Sequence, residues 1–155
     1  MEPSFEKLLA LLAEAEVRFV LIGGLAVSVQ GHVRFTEDVD ILIDTEPANI
    51  QHLLDTLANY GEGFARELTP ADFTDEEGAI RIIEETELCQ IDVFTRMSGQ
   101  RYQDLATQAE PFTVAGHQIL CASKASLIAL KGASSREKDK LDAQALEELI
   151  KNKSK

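Results

Sequence analysis

The chain has 155 residues, with 27 Asp and Glu against 15 Lys and Arg and a formal net charge of −12. Apolar residues make up 45% and charged residues 27%, a globular balance that argues against intrinsic disorder; the length suits one domain, residues 1–155. The acidity argues against general nucleic-acid binding, which depends on Lys and Arg meeting phosphate, and two cysteines cannot build a disulfide framework.

No apolar run approaches the ~20 residues that span a bilayer, and Met1 to Leu12 lacks a basic flank and a cleavage site, so a soluble, cytoplasmic protein with no membrane partner is expected. Phe5, Leu8, Leu9 and Leu12 recur at helical spacing, which predicts an amphipathic helix over 4–15 with Ser4 as its cap. Val17 to Ile22 is apolar and β-branched and runs into Gly23-Gly24, the pattern of a buried strand stopping at a tight turn. A short helix over Leu25–Gln30, a strand over Val39–Ile43 and a helix carrying Ile50, Leu53, Leu54 and Leu57 follow.

Residues 61–78 read as acidic loop. Ala79–Ile83 and Leu88–Thr95 read as paired strands about a Glu84–Glu87 turn, and Gln100–Gln108 as helix. Phe112–Leu120, interrupted by Gly116, reads as a strand or small hairpin. Ser123 caps a helix to Lys131, Gly132–Ser135 breaks it, and Leu141, Ala145, Leu146, Leu149 and Ile150 stripe a last helix. The expected architecture is one α/β (α+β) unit of about five strands and five helices.

The charge is unevenly spread. Residues 124–155 carry a net +3 and the first 123 residues a net −15; Asp72 to Glu87 alone holds seven carboxylates and one Arg, Arg81. Such a run ordinarily forms a solvated face. Three features are less ordinary. Gly23-Gly24 leaves a buried strand for a helix, where backbone amides can approach a phosphate closely. Asp38 and Asp40 alternate with Val39 and Ile41 on one strand, so both carboxylates project to the same face. They repel each other unless a cation lies between them, and an oxygen-only donor set favours Mg²⁺ or Mn²⁺. Asp92 stands inside the apolar Ile91-Asp92-Val93-Phe94 and needs either a cation or a salt bridge, with Arg34 or Arg96 as candidates. His32, His52 and His117 show no ligand spacing.

Taken together, Ile22-Gly23-Gly24, the stretch Arg34-Phe35-Thr36-Glu37-Asp38-Val39-Asp40-Ile41 and Ile91-Asp92-Val93 resemble the nucleotidyltransferase superfamily of the DNA polymerase β type. Within it, the pattern is most similar to small prokaryotic minimal nucleotidyltransferases and abortive-infection toxin-type transferases. The helical end, with Leu130-Lys131 and Arg136-Glu137-Lys138-Asp139, resembles the same families. The resemblance implies a mixed β-sheet flanked by helices. It implies Asp38, Asp40 and Asp92 as catalytic and metal-binding residues. It also implies Gly23, Gly24, Arg34, Lys131, Arg136 and Lys138 as nucleotide- and phosphate-binding residues. The implied activity is Mg²⁺-dependent transfer of a nucleoside monophosphate, AMP from ATP first, to a hydroxyl on RNA, a protein or a small molecule. Gly24 departs from the family's common Gly-Ser, which removes one hydroxyl contact to phosphate. The alternative is a non-catalytic component of a toxin–antitoxin pair that binds a protein partner or a nucleotide.

Overall fold

The computed structural model describes residues 3–84, 89–132 and 136–153. The turn expected at Glu84–Glu87 and the break at Gly132–Ser135 lie largely outside them.

Helix α1 (Pro3–Glu14) buries Phe5, Leu8, Leu9 and Leu12, the residues that its spacing selects. Each contributes about 2 kcal/mol of transfer free energy. The helix begins at Pro3, whose fixed φ suits a first helical position, so Ser4 lies inside it and is not its cap. Strand β1 (Phe19–Ile22) is buried throughout. It starts after Arg18 because the Arg18 amide donates to Asn49 Oδ1 at 2.7 Å and not to a strand. Helix α2 (Gly23–Val29) follows without a loop.

Strand β2 (Asp38–Ile43), helix α3 (Pro47–Leu57), strands β3 (Ala79–Glu84) and β4 (Cys89–Phe94) and the short helix α4 (Tyr102–Ala106) come next. The acidic loop expected before β3 contains two 3₁₀ turns, Phe64–Glu67 and Pro70–Asp72. Phe112–Leu120 resolves into a hairpin, β5 (Glu110–Val114) and β6 (His117–Cys121), which makes six strands. Helix α5 (Lys124–Lys131) is capped by Ser123, whose hydroxyl accepts from the Ser126 amide at 3.1 Å.

The strands form one mixed sheet in the order β3-β4-β2-β1-β6-β5. β1 is antiparallel to β2 and parallel to β6, and β2 is parallel to β4. Helix α2 packs on β1, β2 and α5, and helix α6 (Glu137–Lys153) packs on α5. The inward side of α6 differs from the expected stripe. Leu146 is buried, but Leu141 and Ile150 are exposed, and Asp139 and Asp142 take buried positions on the first turns. The reason is what α6 faces there: a polar cavity wall with Lys131 and Arg34, which needs counter-ions more than apolar cover.

Candidate active site

Strand register assembles the carboxylates. Ile22 of β1 pairs with Asp40 of β2, Asp40 with Asp92 of β4, and Asp92 with Arg81 of β3, one row across four strands. Asp38 lies two residues from Asp40 and pairs with Gln90, so it occupies the same face. One ligand oxygen from each of Asp38, Asp40 and Asp92 lies within 4.8 Å of the others. Burial, then the neighbouring charges of Asp38 and Asp92, pushes the Asp40 carboxyl up to about 8. Burial, then hydrogen bonding and charge from Asp92, also raises Asp38, while Thr36 and Lys138 oppose the rise.

The salt bridge expected for Asp92 exists with a different partner. Arg81 Nε donates to Asp92 Oδ1 at 3.0 Å and Nη2 to Oδ2 at 3.5 Å. Arg96 instead pairs with Glu77 at 3.2 Å, and Arg34 with Asp142 at 2.9 Å. Cross-strand register puts Arg81 beside Asp92, and only strand pairing could reveal that.

The diglycine closes one side of the cluster. Gly23 has φ +73, and a Cβ there would overlap Asp40 Oδ2. A Cβ on Gly24 would stand 2.6 Å from Arg34 Nη2, so the glycine at the usual serine position makes room for the guanidinium. Ser28, another hydroxyl near the turn, bonds the Arg34 backbone at 3.3 Å and holds the loop.

Across a cavity of about 900 Å³ stand the cations, lined up by α5 and α6. Lys131 Nζ lies 2.9 Å from Asp139 Oδ1 and 3.0 Å from Asp142 Oδ2, and Arg136 Nε donates to Asp139 Oδ2 at 2.9 Å. Lys138 lines the cavity with no ion-pair partner among the described residues. The same cavity is lined by Gly23, Gly24, Arg34, Asp38, Asp40 and Asp92. All nine residues singled out in the sequence therefore meet at one place.

The sequence model of the aminoglycoside-2''-adenylyltransferase family matches residues 4–146, which includes every element of this site except the last residues of α6. The chain belongs to the aminoglycoside-2''-adenylyltransferase family. This adenylyltransferase family lies within the nucleotidyltransferase superfamily, so the superfamily resemblance and the enzyme class both hold. No curated protein matches the chain in sequence. Among solved structures, the lincosamide antibiotic adenylyltransferase LnuA with lincomycin bound is 19% identical; the match covers 95% of this chain and 96% of that one, at TM-score 0.63. An antigenic nucleotidyltransferase-like protein from Paracoccidioides brasiliensis is 17% identical, with 94% and 76% covered and TM-score 0.59. At these identities the two structures support the fold: a mixed sheet flanked by helices.

The cavity is also bordered by residues that local sequence pattern does not single out. In the sequence Arg81 is a basic residue in an acidic run, and Asp139 and Asp142 are two acidic residues in the first turns of the last helix. Their role as counter-ions depends on contacts between elements far apart in sequence. Phe35, 75% exposed, stands at the cavity rim with its carbonyl accepting from Arg34 Nη1 at 3.0 Å. Among the described residues no helix is long and apolar enough to cross a membrane.

The carboxylates suit a divalent metal on two counts. The donors are all oxygens, the set that hard cations prefer. Asp40 Oδ1 is also buried without a hydrogen-bond partner, a costly condition that a bound cation would relieve.

Proposed function

We propose that this chain transfers the adenylyl group of ATP to a hydroxyl of a small polar acceptor, with Mg²⁺ or Mn²⁺ held by Asp38 and Asp40 and Asp92 beside them. The observation that carries the reading is the carboxylate cluster with its orphaned Asp40 oxygen, set across one cavity from Lys131, Arg136 and Lys138.

The reaction forms a bond between the acceptor oxygen and the α-phosphorus and breaks the bond from that phosphorus to the β-phosphate oxygen. Pyrophosphate leaves, and the hydroxyl proton goes to a carboxylate. Asp92, between the sheet and the cavity, is the residue assigned to receive it. The metal supplies neutralisation of the triphosphate charge. Gly23 and Gly24 let the backbone approach phosphate where side chains would collide. Lys138, with no carboxylate partner among the described residues, is a cation available to the triphosphate. Lys131, Arg34 and Arg136 are pre-positioned by Asp139 and Asp142, which reduces the reorganisation needed when phosphate arrives.

A small acceptor is favoured over RNA because a chain of net charge −12 repels a polyanion and attracts a cation. The family's name and the lincomycin bound to one structural relative point to small antibiotics as the class to try first. A complete carboxylate cluster supports an enzyme over the non-catalytic toxin–antitoxin component.

The test incubates the chain with α-labelled ATP, Mg²⁺ and a panel of hydroxylated aminoglycosides and lincosamides, and follows label on the acceptor and pyrophosphate release. Transfer that Asp40→Asn abolishes is the expected result. Phosphate release without transfer, or no thermal shift with any of the four NTPs, would overturn the reading.

A further inference from the structure

The three carboxylates are not equivalent, and the difference lies in Arg81. Its guanidinium addresses both oxygens of Asp92, at 3.0 and 3.5 Å, and Gln90 Nε2 shares Oδ2 at 3.5 Å. Asp38 and Asp40 have no cation at ion-pair distance among the described residues, and one Asp40 oxygen has no hydrogen-bond partner at all. Asp92 therefore has a cation of the chain in direct contact, whereas its two neighbours feel Lys138 and Lys131 only at longer range.

We propose that Arg81 is a tethered counter-ion that competes with divalent metal for Asp92, so that the cluster loads metal in two unequal steps. The first ion takes Asp38 and Asp40 and leaves Arg81 in place. A second engages Asp92 only as Arg81 lets go. This inference rests on the metal-binding reading above and adds the order of loading and the residue that sets it.

The geometry makes the exchange practicable. Arg81 faces Asp92 directly in the β3–β4 register, so the contact depends on no loop. The Asp92 side chain is 6% exposed and fixed in the sheet, whereas the Arg81 side chain is 58% exposed. β3 is an edge strand, so the guanidinium can swing into solvent without moving the backbone ladder. A carboxylate offers about four lone-pair sites on its two oxygens, and Arg81 with Gln90 addresses both oxygens of Asp92, so an arriving metal ion meets acceptor capacity and negative charge that are already largely in use. With one partner in solvent, the contact to be exchanged is a modest one, which makes Arg81 a barrier that metal can displace.

The experiment titrates Mn²⁺ alone into the full chain by calorimetry, with Mn²⁺ paramagnetic resonance counting bound ions. Wild type, Arg81→Gln, Arg81→Lys and Asp40→Asn are compared, each first checked by its melting curve. The expected result is that Arg81→Gln tightens the weaker Mn²⁺ step by about threefold or more, the scale of a half-exposed ion pair, and leaves the stronger step unchanged. Arg81→Lys, which keeps the charge and loses the fork, falls between, and it carries the comparison if the glutamine variant does not fold. A merely structural Arg81 would weaken Mn²⁺ binding on removal. Unchanged or weaker second-step binding in both variants overturns the proposal. Absence of Mn²⁺ binding in wild type and variants alike is a different result, which removes the metal reading and this inference with it.

Discussion

Gly23 and Asp40 stand so close that a Cβ on the glycine would overlap Asp40 Oδ2 and lie 2.8 Å from its Cγ. Ile22, the residue before the glycine, pairs with Asp40 across β1 and β2, so the glycine turn and the carboxylate are held as one piece. Gly23→Ala must therefore move Asp40 as well as strain a backbone at φ +73. The expected result is about 1–3 kcal/mol of lost stability in chemical denaturation. Mn²⁺ affinity should fall further than that loss alone explains. Wild-type metal binding in the variant would show that the turn and the carboxylate are independent.

Asp40 also predicts the direction of a pH effect. Its carboxyl is raised from 3.8 to about 8, by burial first and then by the charges of Asp38 and Asp92. The folded protein thus keeps a proton that the unfolded chain releases. Stability from this group is fully present below the ordinary carboxylate range and is lost as pH rises towards about 8. In EDTA, the melting temperature of wild type should fall through that window, and that of Asp40→Asn should fall less. Parallel curves for the two proteins would refute this assignment.

Asp142 is 1% exposed and serves both Arg34, at 2.9 Å, and Lys131, at 3.0 Å. Removing it leaves two cations facing each other without their shared counter-ion. Asp142→Ala should cost about 3 kcal/mol in urea denaturation and raise the KM for ATP. Adding Lys131→Met should restore part of the stability and none of the activity. Simple additivity of the two stability losses would contradict the coupling.

Ser123 holds the start of α5, the helix that ends in Lys131. Ser123→Ala removes the bond to the Ser126 amide at 3.1 Å and should cost about 1 kcal/mol. Because the cap lies at the far end of the helix from Lys131, Mn²⁺ binding should be unchanged while the melting temperature drops.

Much of this site was legible because its signals are local. The diglycine after an apolar strand, the alternation of Asp38 and Asp40 with Val39 and Ile41, and a carboxylate inside an apolar strand each follow from a few neighbouring residues. The helical spacing of α1 and the Ser123 cap held for the same reason. The expected stripe of α6 held in part: Leu146 and Leu149 pack on the core, whereas Leu141 and Ile150 are exposed. Hydrophobic spacing gives the period of a helix, but which residues turn inward depends on what the helix meets, and here the first turns meet Lys131 and Arg34.

Local pattern in the chain was enough to find the groups themselves: three carboxylates on apolar strands, a glycine turn after a buried strand, and cations gathered near the end of the chain. Tertiary structure decided which charges answer which. Strand register, invisible in a linear pattern, placed Arg81 against Asp92, and helix packing gave Lys131 and Arg34 to Asp139 and Asp142. Ion pairing depends on distances of a few ångströms between residues far apart in the chain, and only the fold sets those distances.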